Sequence, residues 1–228
     1  MSSTSACSAT WRVRCEAESQ MTPDPRYIVS TLDQLAGLFG DIGEAALKKE
    51  LSFIHPHYRA LIEASPFAVL ATSGTDGLDA SPRGDPPGFV VVEDEFTLLM
   101  PERRGNNRAD NLRNLLVDPR IALLFLIPGV GETLRVNGSA TISIEPALLE
   151  RFSMEGQLPK CVLVIKVKSV FFQCARAIHR SKLWEPSTQD GKPAVPSAGS
   201  MLAALTDHQI DGEQYDREAP ARQRSTLY

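Results

Sequence analysis

The sequence predicts a mainly β fold with flanking helices, an α+β chain built around a closed or nearly closed antiparallel barrel. Three observations predict it. Hydrophobic residues make up 43% of the 228 residues and charged residues 23%, enough apolar material for a real core. Short runs with strand patterning succeed one another between turn residues along most of the chain. Few helical patterns interrupt them, which argues against a doubly wound parallel sheet.

Residues 1–20 share no pattern with the rest of the chain, and Met21, ahead of Thr22 and Pro23, would make a natural start. Residues 1–29 are expected to form a flexible extension. From Ser30, the residues Leu32, Leu35, Leu38 and Phe39 fall at helical spacing and stop at Gly40; a second helical stretch begins near Gly43. A clearer helix begins after His55 and Pro56, where proline suits the first turn, with Tyr58, Leu61 and Ile62 on one face up to Ser65 and Pro66. The period then changes. Phe67 to Thr72 reads as a buried strand, Gly74 to Gly77 as a hairpin turn and Leu78 to Arg83 as the returning strand.

Gly88 to Glu93 and Phe96 to Met100 form another pair, and Asn107 to Leu116 reads as a helix stopped at Asp118 and Pro119. Strands are expected next at Arg120 to Ile127 and, by alternation, Glu132 to Ile144. Pro146 to Phe152 is a short helix, Val162 to Phe172 a final strand and Arg176 to Leu183 a closing helix. Past Trp184 the composition turns to Pro, Ser, Gly, Thr and Gln over residues 186–200, which is linker chemistry; a helical patch at Met201 to Leu205 and a charged tail complete the chain. One domain is therefore expected over residues 30–185, with 186–228 as linker and tail.

With 28 acidic and 24 basic residues the net charge is -4, so no global basic field draws nucleic acid or an anionic membrane, and any anion site has to be local. The longest apolar run, Ile121 to Ile127, is far short of the about 20 residues a membrane-spanning helix needs. No stretch of signal-peptide type opens the sequence, and Cys7, Cys15, Cys161 and Cys174 lack metal-type spacing. A cytoplasmic protein with reduced thiols is expected.

Two segments could carry chemistry. Strand alternation sets Leu78, Ala80 and Pro82 on one face and Asp79, Ser81, Arg83 and Asp85 on the other. Pro82, Pro86 and Pro87 mark this strand as an edge or a bulge. It is either a solvated edge with a salt bridge or a row of donors and acceptors for a ligand. The second segment, Met100 to Arg108, sets Arg103, Arg104 and Arg108 with Gly105, Asn106 and Asn107 between a strand end and a helix start. Either an asparagine caps that helix while the arginines are solvated, or the arginine forks and the helix N-terminus hold a phosphate.

Read together, Ser-Pro-Arg-Gly-Asp (81–85), Gly-Asn-Asn-Arg-x-Asp-x-Leu-x-Asn (105–114), Asp-Pro-Arg-Ile (118–121), Leu-Phe-Leu-Ile-Pro-Gly (124–129) and Glu-Thr-Leu-Arg-Val-Asn-Gly (132–138) resemble the pyridoxamine 5'-phosphate oxidase-like superfamily. The closer similarity is to its FMN-dependent branch, over roughly residues 30–185. The resemblance implies an FMN-binding split β-barrel working as a homodimer, with each flavin at the subunit interface. It places Ser81, Pro82 and Arg83 beside the flavin ring or its ribityl chain, and Met100 and Pro101 at the following strand end. Asn107 and Arg108 fall where the family often has an Arg-Lys phosphate pair, which makes Arg108 the first choice for the phosphate. Arg83, Arg103 or Arg104 would offset the missing charge at Asn107. Thr133 and Arg135 would approach from the same wall, and Ser181, Lys182 and Trp184 resemble the segment that reaches the partner's flavin. Trp184 reads equally as a packing residue at the domain's end.

The vitamin oxidase's Trp-x-x-x-x-Arg-Leu-His signature is absent, so that substrate is not transferred. No Walker loop, GxGxxG or Ser-His-Asp arrangement stands out, and no metal ligands are expected from His55, His57 or His179. The expectation is an FMN-dependent oxidoreductase acting on a small molecule; a non-catalytic flavin carrier or sensor, or a haem- or deazaflavin-binding relative, is the alternative.

Overall fold

The computed structural model describes residues 22–105, 107–185 and 195–228. Cys7, Cys15, Asn106 and the linker residues 186–194 lie outside the described residues. The chain falls into two compact units, Met1–Gly43 and Glu44–Tyr228. In the first, α1 (Leu32–Phe39) begins with a reciprocal cap: Gln34 N donates to the Thr31 hydroxyl, and Thr31 N donates to Gln34 Oε1.

The second unit opens with α2 (Glu44–Lys48) and α3 (Pro56–Ala64). Pro56 occupies the first turn of α3, His57 N donates to His55 Nδ1, and the face carrying Tyr58 and Ile62 is buried. Strands β1 (Phe67–Gly74), β2 (Gly77–Gly84), β3 (Val91–Asp94) and β4 (Thr97–Glu102) come next, then α4 (Asp110–Val117) and β5 (Arg120–Leu126). The remainder is β6 (Thr133–Ser143), α5 (Pro146–Arg151), β7 (Cys161–Gln173), α6 (Arg176–Ser181), α7 (Ala198–Leu205) and α8 (Gly212–Ser225).

The seven strands form one sheet in the order β2-β1-β5-β6-β7-β4-β3, every pair antiparallel. Closure of the barrel is not observed: among the described residues no ladder joins β2 to β3. Pro82 has no N–H to offer, and Pro86 and Pro87 come directly after the strand, so β2 ends the sheet as an edge. Apolar side chains from α3, α4 and six of the strands, among them Ile62, Leu70, Leu98, Leu123, Leu134 and Ile165, meet in one core. The two longest strands, β6 and β7, shift register at Asn137 and Gly138. A Cβ on Gly138 would run into the Lys166 carbonyl, so glycine permits the close approach at this bulge.

Two local findings differ from the sequence-based expectation, and a third supplies a direction of burial that it left open. The helix expected from Asn107 starts at Asp110, because Asn107 (φ 59) and Ala109 (φ 55) sit in the left-handed region. The charged tail is helical as α8, capped by Asp211, whose side chain accepts from Gln214 N; with little apolar periodicity it leaves no amphipathic signal. The row Asp79, Ser81, Arg83 is half-buried while Leu78, Ala80 and Pro82 are exposed, Leu78 at 86%. The polar face of β2 thus points inward.

Candidate functional site

A cleft of about 620 Å³ runs along β2, the end of β4, residues 103–105 and 107–109 of the connection, and the first turn of α4. Its walls result from the sheet order. β2 and β4 lie near opposite ends of that order, and ion pairs bridge the gap. Arg83 Nε donates to Glu102 Oε1 at 2.8 Å, while its Nη1 donates to Ser81 Oγ at 2.6 Å and to the Pro82 carbonyl at 3.0 Å. Arg103 Nε donates to Asp85 Oδ2 at 2.8 Å and its Nη1 to the Phe152 carbonyl at 2.5 Å. These pairs are largely withdrawn from water, with side-chain exposures of 18% and 10% for the first and 17% and 3% for the second.

Beneath the ion pairs a polar network ties β1, β2 and α4 together. The Ser81 hydroxyl donates to Asn111 Oδ1; Asn111 Nδ2 donates to Thr72 Oγ1 at 2.9 Å and to the Asp79 carbonyl at 3.3 Å. Asn114 Nδ2 donates to Thr72 Oγ1 at 3.1 Å and to Asp79 Oδ2 at 2.7 Å. Thr72 and Asn111 are buried, so these bonds satisfy groups that would otherwise be costly to bury. They fix the start of α4 against the cleft.

The rim is positive. Arg104 and Lys160 line the cleft, are exposed, and form no ion pair among the described residues. Arg108 Nε donates to Asp110 Oδ2 at 2.8 Å, which pushes the guanidinium's pKa up, but its side chain is 74% exposed and such surface pairs are weak. Ala109, at the N-cap of α4, supplies no side-chain cap, so among the described residues no cap side chain satisfies the first-turn N–H groups. Cys161 stands opposite Glu102 in the ladder, where burial and that carboxylate push its thiol up to about 11. It is a neutral packing group. Among the described residues no histidine lines the cleft, and Asp85, Glu102 and Asp110 are each paired with an arginine. The arrangement suits binding an anion and offers no hydrolytic constellation.

Of the residues singled out from sequence, Ser81, Pro82, Arg83, Pro101, Arg103, Arg104, Asn107 and Arg108 come together here. Met100, one residue before Pro101, turns its side chain fully into the core. The other five do not line the cleft. Thr133 Oγ1 donates to Gln173 Oε1 at 3.2 Å, and Arg135 lies over the Phe171 ring at 4.0 Å with its Nε buried and without a hydrogen-bond partner among the described residues. Ser181 donates to the Ile178 carbonyl, Lys182 takes a left-handed conformation at the end of α6, and Trp184 Nε1 donates to the Val130 carbonyl at 2.7 Å. Sequence reasoning missed Glu102, Asn111 and Tyr228 as members of the site. Asn111 sits inside the Gly105–Asn114 motif and Glu102 directly after Pro101, so both had a local signal. Tyr228, whose hydroxyl donates to Asp85 Oδ1 at 2.8 Å from 143 positions away, had none.

The family model for pyridoxamine 5'-phosphate oxidase matches residues 54–174, just over half of the chain and all seven strands of the sheet. The chain belongs to that family. The open antiparallel sheet with flanking helices is the split barrel of pyridoxamine 5'-phosphate oxidase-like proteins. Solved structures similar to it include HupZ of Group A Streptococcus, at 21% identity over 53% of this chain and 94% of that chain with a TM-score of 0.44. Another, from Clostridium acetobutylicum, is a protein related to general stress protein 26 of B. subtilis, at 15% identity over 52% and 86% with a TM-score of 0.41. A third is the FAD binding protein from Mycobacterium smegmatis, at 13% identity over 54% and 97% with a TM-score of 0.39. No curated protein matches the sequence.

Proposed function

We propose that this member of the pyridoxamine 5'-phosphate oxidase family is an FMN-dependent oxidoreductase that exchanges a hydride or electrons with a small substrate. The observation that carries this reading is the cleft itself. At about 620 Å³ it has the size of a cofactor site, and its rim combines arginines with the uncapped first turn of α4. The donor set fits a phosphate monoester: Arg104 and Lys160 are charged without an acidic partner among the described residues, and Arg108, 74% exposed beside Asp110, adds a third cation to the rim. Bound flavin would supply the redox chemistry. The chain's own residues would orient and shelter it. Arg83, held by Glu102 and by the Ser81 hydroxyl that Asn111 fixes, presents its guanidinium along one wall, and the Arg103–Asp85 pair closes the other. Family membership supports flavin as the ligand class.

The functional molecule is proposed to be a cytoplasmic homodimer. Support comes from the exposed row Leu78, Ala80 and Pro82 on an unpaired sheet edge, and from Thr133, Arg135, Ser181, Lys182 and Trp184 standing outside the cleft of their own chain. A second copy could bring that group to its partner's flavin, where the orphaned Arg135 Nε would gain an acceptor. Residues 30–185 would be the cofactor-binding domain.

The absorption spectrum of the purified protein, with the heat-released cofactor identified by mass, tests the cofactor. Flavin bands and the mass of FMN support the reading; a Soret band or a colourless protein that ignores added FMN overturns it. Bleaching of the bound flavin by NADH or NADPH, reversed by an acceptor, supports the enzyme. A tightly held flavin that no donor reduces identifies a carrier, a reading favoured by the engagement of all four cleft carboxylates among the described residues, Asp85, Glu102 and Asp110 with arginines and Asp79 with Asn114.

A further inference from the structure

Tyr228 reaches a wall of the cleft from the end of α8, far from the matched family region. Its hydroxyl donates to Asp85 Oδ1 at 2.8 Å, and its ring lies under the Arg103 guanidinium at 5.6 Å from the centroid. Asp85 uses its other oxygen for Arg103 Nε at 2.8 Å, and its side chain is only 3% exposed. Arg103 is thereby held on three sides, by the Asp85 carboxylate, the Phe152 carbonyl and the Tyr228 ring. Asp85 and Arg103 line the cleft; Tyr228 does not.

We propose that Tyr228 is a positioning residue of the cleft, fixing Arg103 through Asp85 and through its ring so that the guanidinium meets the phosphate end of a flavin nucleotide. This role rests on the FMN reading of the cleft. A buried carboxylate with two donors, one of them the phenol, keeps its rotamer; without the phenol, Oδ1 has lost a donor and the Arg103–Asp85 pair can rotate. The cation over the ring adds a second restraint on the same guanidinium. The effect should therefore fall on recognition of the anionic group and not on the flavin ring.

The test compares FMN with riboflavin, which lacks the phosphate, by flavin-fluorescence titration of protein stripped of bound flavin. Tyr228→Phe keeps the ring and removes one hydrogen bond to a charged group, so FMN binding should weaken roughly tenfold. Riboflavin binding should stay within about twofold, because no charge is there for Arg103 to meet. In an Arg103→Ala background the same substitution should cost nothing further. Equal losses for both flavins, an unchanged FMN affinity, or a full additive loss in the Arg103→Ala background overturns the proposal. Arg103→Met, which keeps side-chain bulk and removes the charge, serves if Arg103→Ala does not fold, with the same reading. Wild-type protein that binds neither flavin overturns the cofactor reading itself and this role with it, an outcome distinct from wild-type binding that Tyr228→Phe leaves untouched.

Discussion

Glu102→Gln isolates what the Arg83–Glu102 pair contributes. The substitution keeps the shape of the side chain and removes the negative charge that faces Arg83 Nε at 2.8 Å. Both partners are largely buried, at 18% and 10% exposure, so the guanidinium would be left in the cleft wall without its counter-charge. Breaking a fully buried pair from one side costs about 3–5 kcal/mol. Here Arg83 retains the Ser81 hydroxyl and the Pro82 carbonyl as acceptors and some contact with water, which lowers the expectation to about 2–3 kcal/mol. For a chain of this size that is a drop in Tm of about 4–12 °C. Calorimetry and urea denaturation of the flavin-free protein read it directly. The double replacement Arg83→Met with Glu102→Met should recover about half or more of the loss, since neither charge is then stranded. A single-variant change under about 0.5 kcal/mol would refute the claim that this pair is withdrawn from solvent and holds the wall.

Arg108→Ala should weaken FMN binding by about 1.5–3 kcal/mol, the scale of a charge-assisted hydrogen bond, with Tm unchanged because the Arg108–Asp110 pair is exposed; an unchanged affinity in the same titration removes Arg108 from the phosphate site. Gly138→Ala sets a methyl group against the Lys166 carbonyl on the facing strand and should cost about 1–3 kcal/mol in urea denaturation, with full stability counting against the tight bulge. In mildly alkaline buffer the Cys161 thiol, pushed up to about 11 by burial and Glu102, should resist iodoacetamide in the folded protein. Exposed Cys174, whose pKa is lowered first by the Arg176 backbone N–H, should be alkylated; peptide mapping that finds the two labelled alike would contradict these environments.

The strands were the most legible part of the chain. Phe67 to Thr72, Arg120 to Ile127 and Val162 to Phe172 are predominantly apolar stretches with strand patterning, and each lies in the sheet close to its expected limits. What periodicity could not supply was the direction of burial. β2 alternates clearly, yet nothing in Leu78 to Arg83 says that the polar row faces inward, because that is decided by Asn111 and Glu102 arriving from distant segments. The start of α4 was misplaced for a related reason. Asparagine favours helix caps but also tolerates the left-handed conformation, and at Asn107 the second preference prevails. Barrel closure depends on pairing between strands far apart in the chain, so the open ends at β2 and β3 had no local signature beyond the prolines. The arginines of the cleft were visible as a cluster; their carboxylate partners were not, since Asp85 and Glu102 are separated by 18 and 19 positions from Arg103 and Arg83.

The sheet is in effect an unbuttoned cylinder, and the Arg83–Glu102 and Arg103–Asp85 pairs are its stitches across the opening. Main-chain ladders resist stretching because every step breaks a hydrogen bond in register, but among the described residues no ladder crosses this seam. Among the described residues its aperture is held by side-chain ion pairs and by the short 85–90 connection from β2 to β3. Widening the cleft at the stitches therefore requires the two arginines to leave their partners but breaks no strand pairing. The rate of ligand exchange should accordingly respond to substitutions at the stitches while remaining indifferent to changes in global unfolding, so a more stable core would not make a slower door.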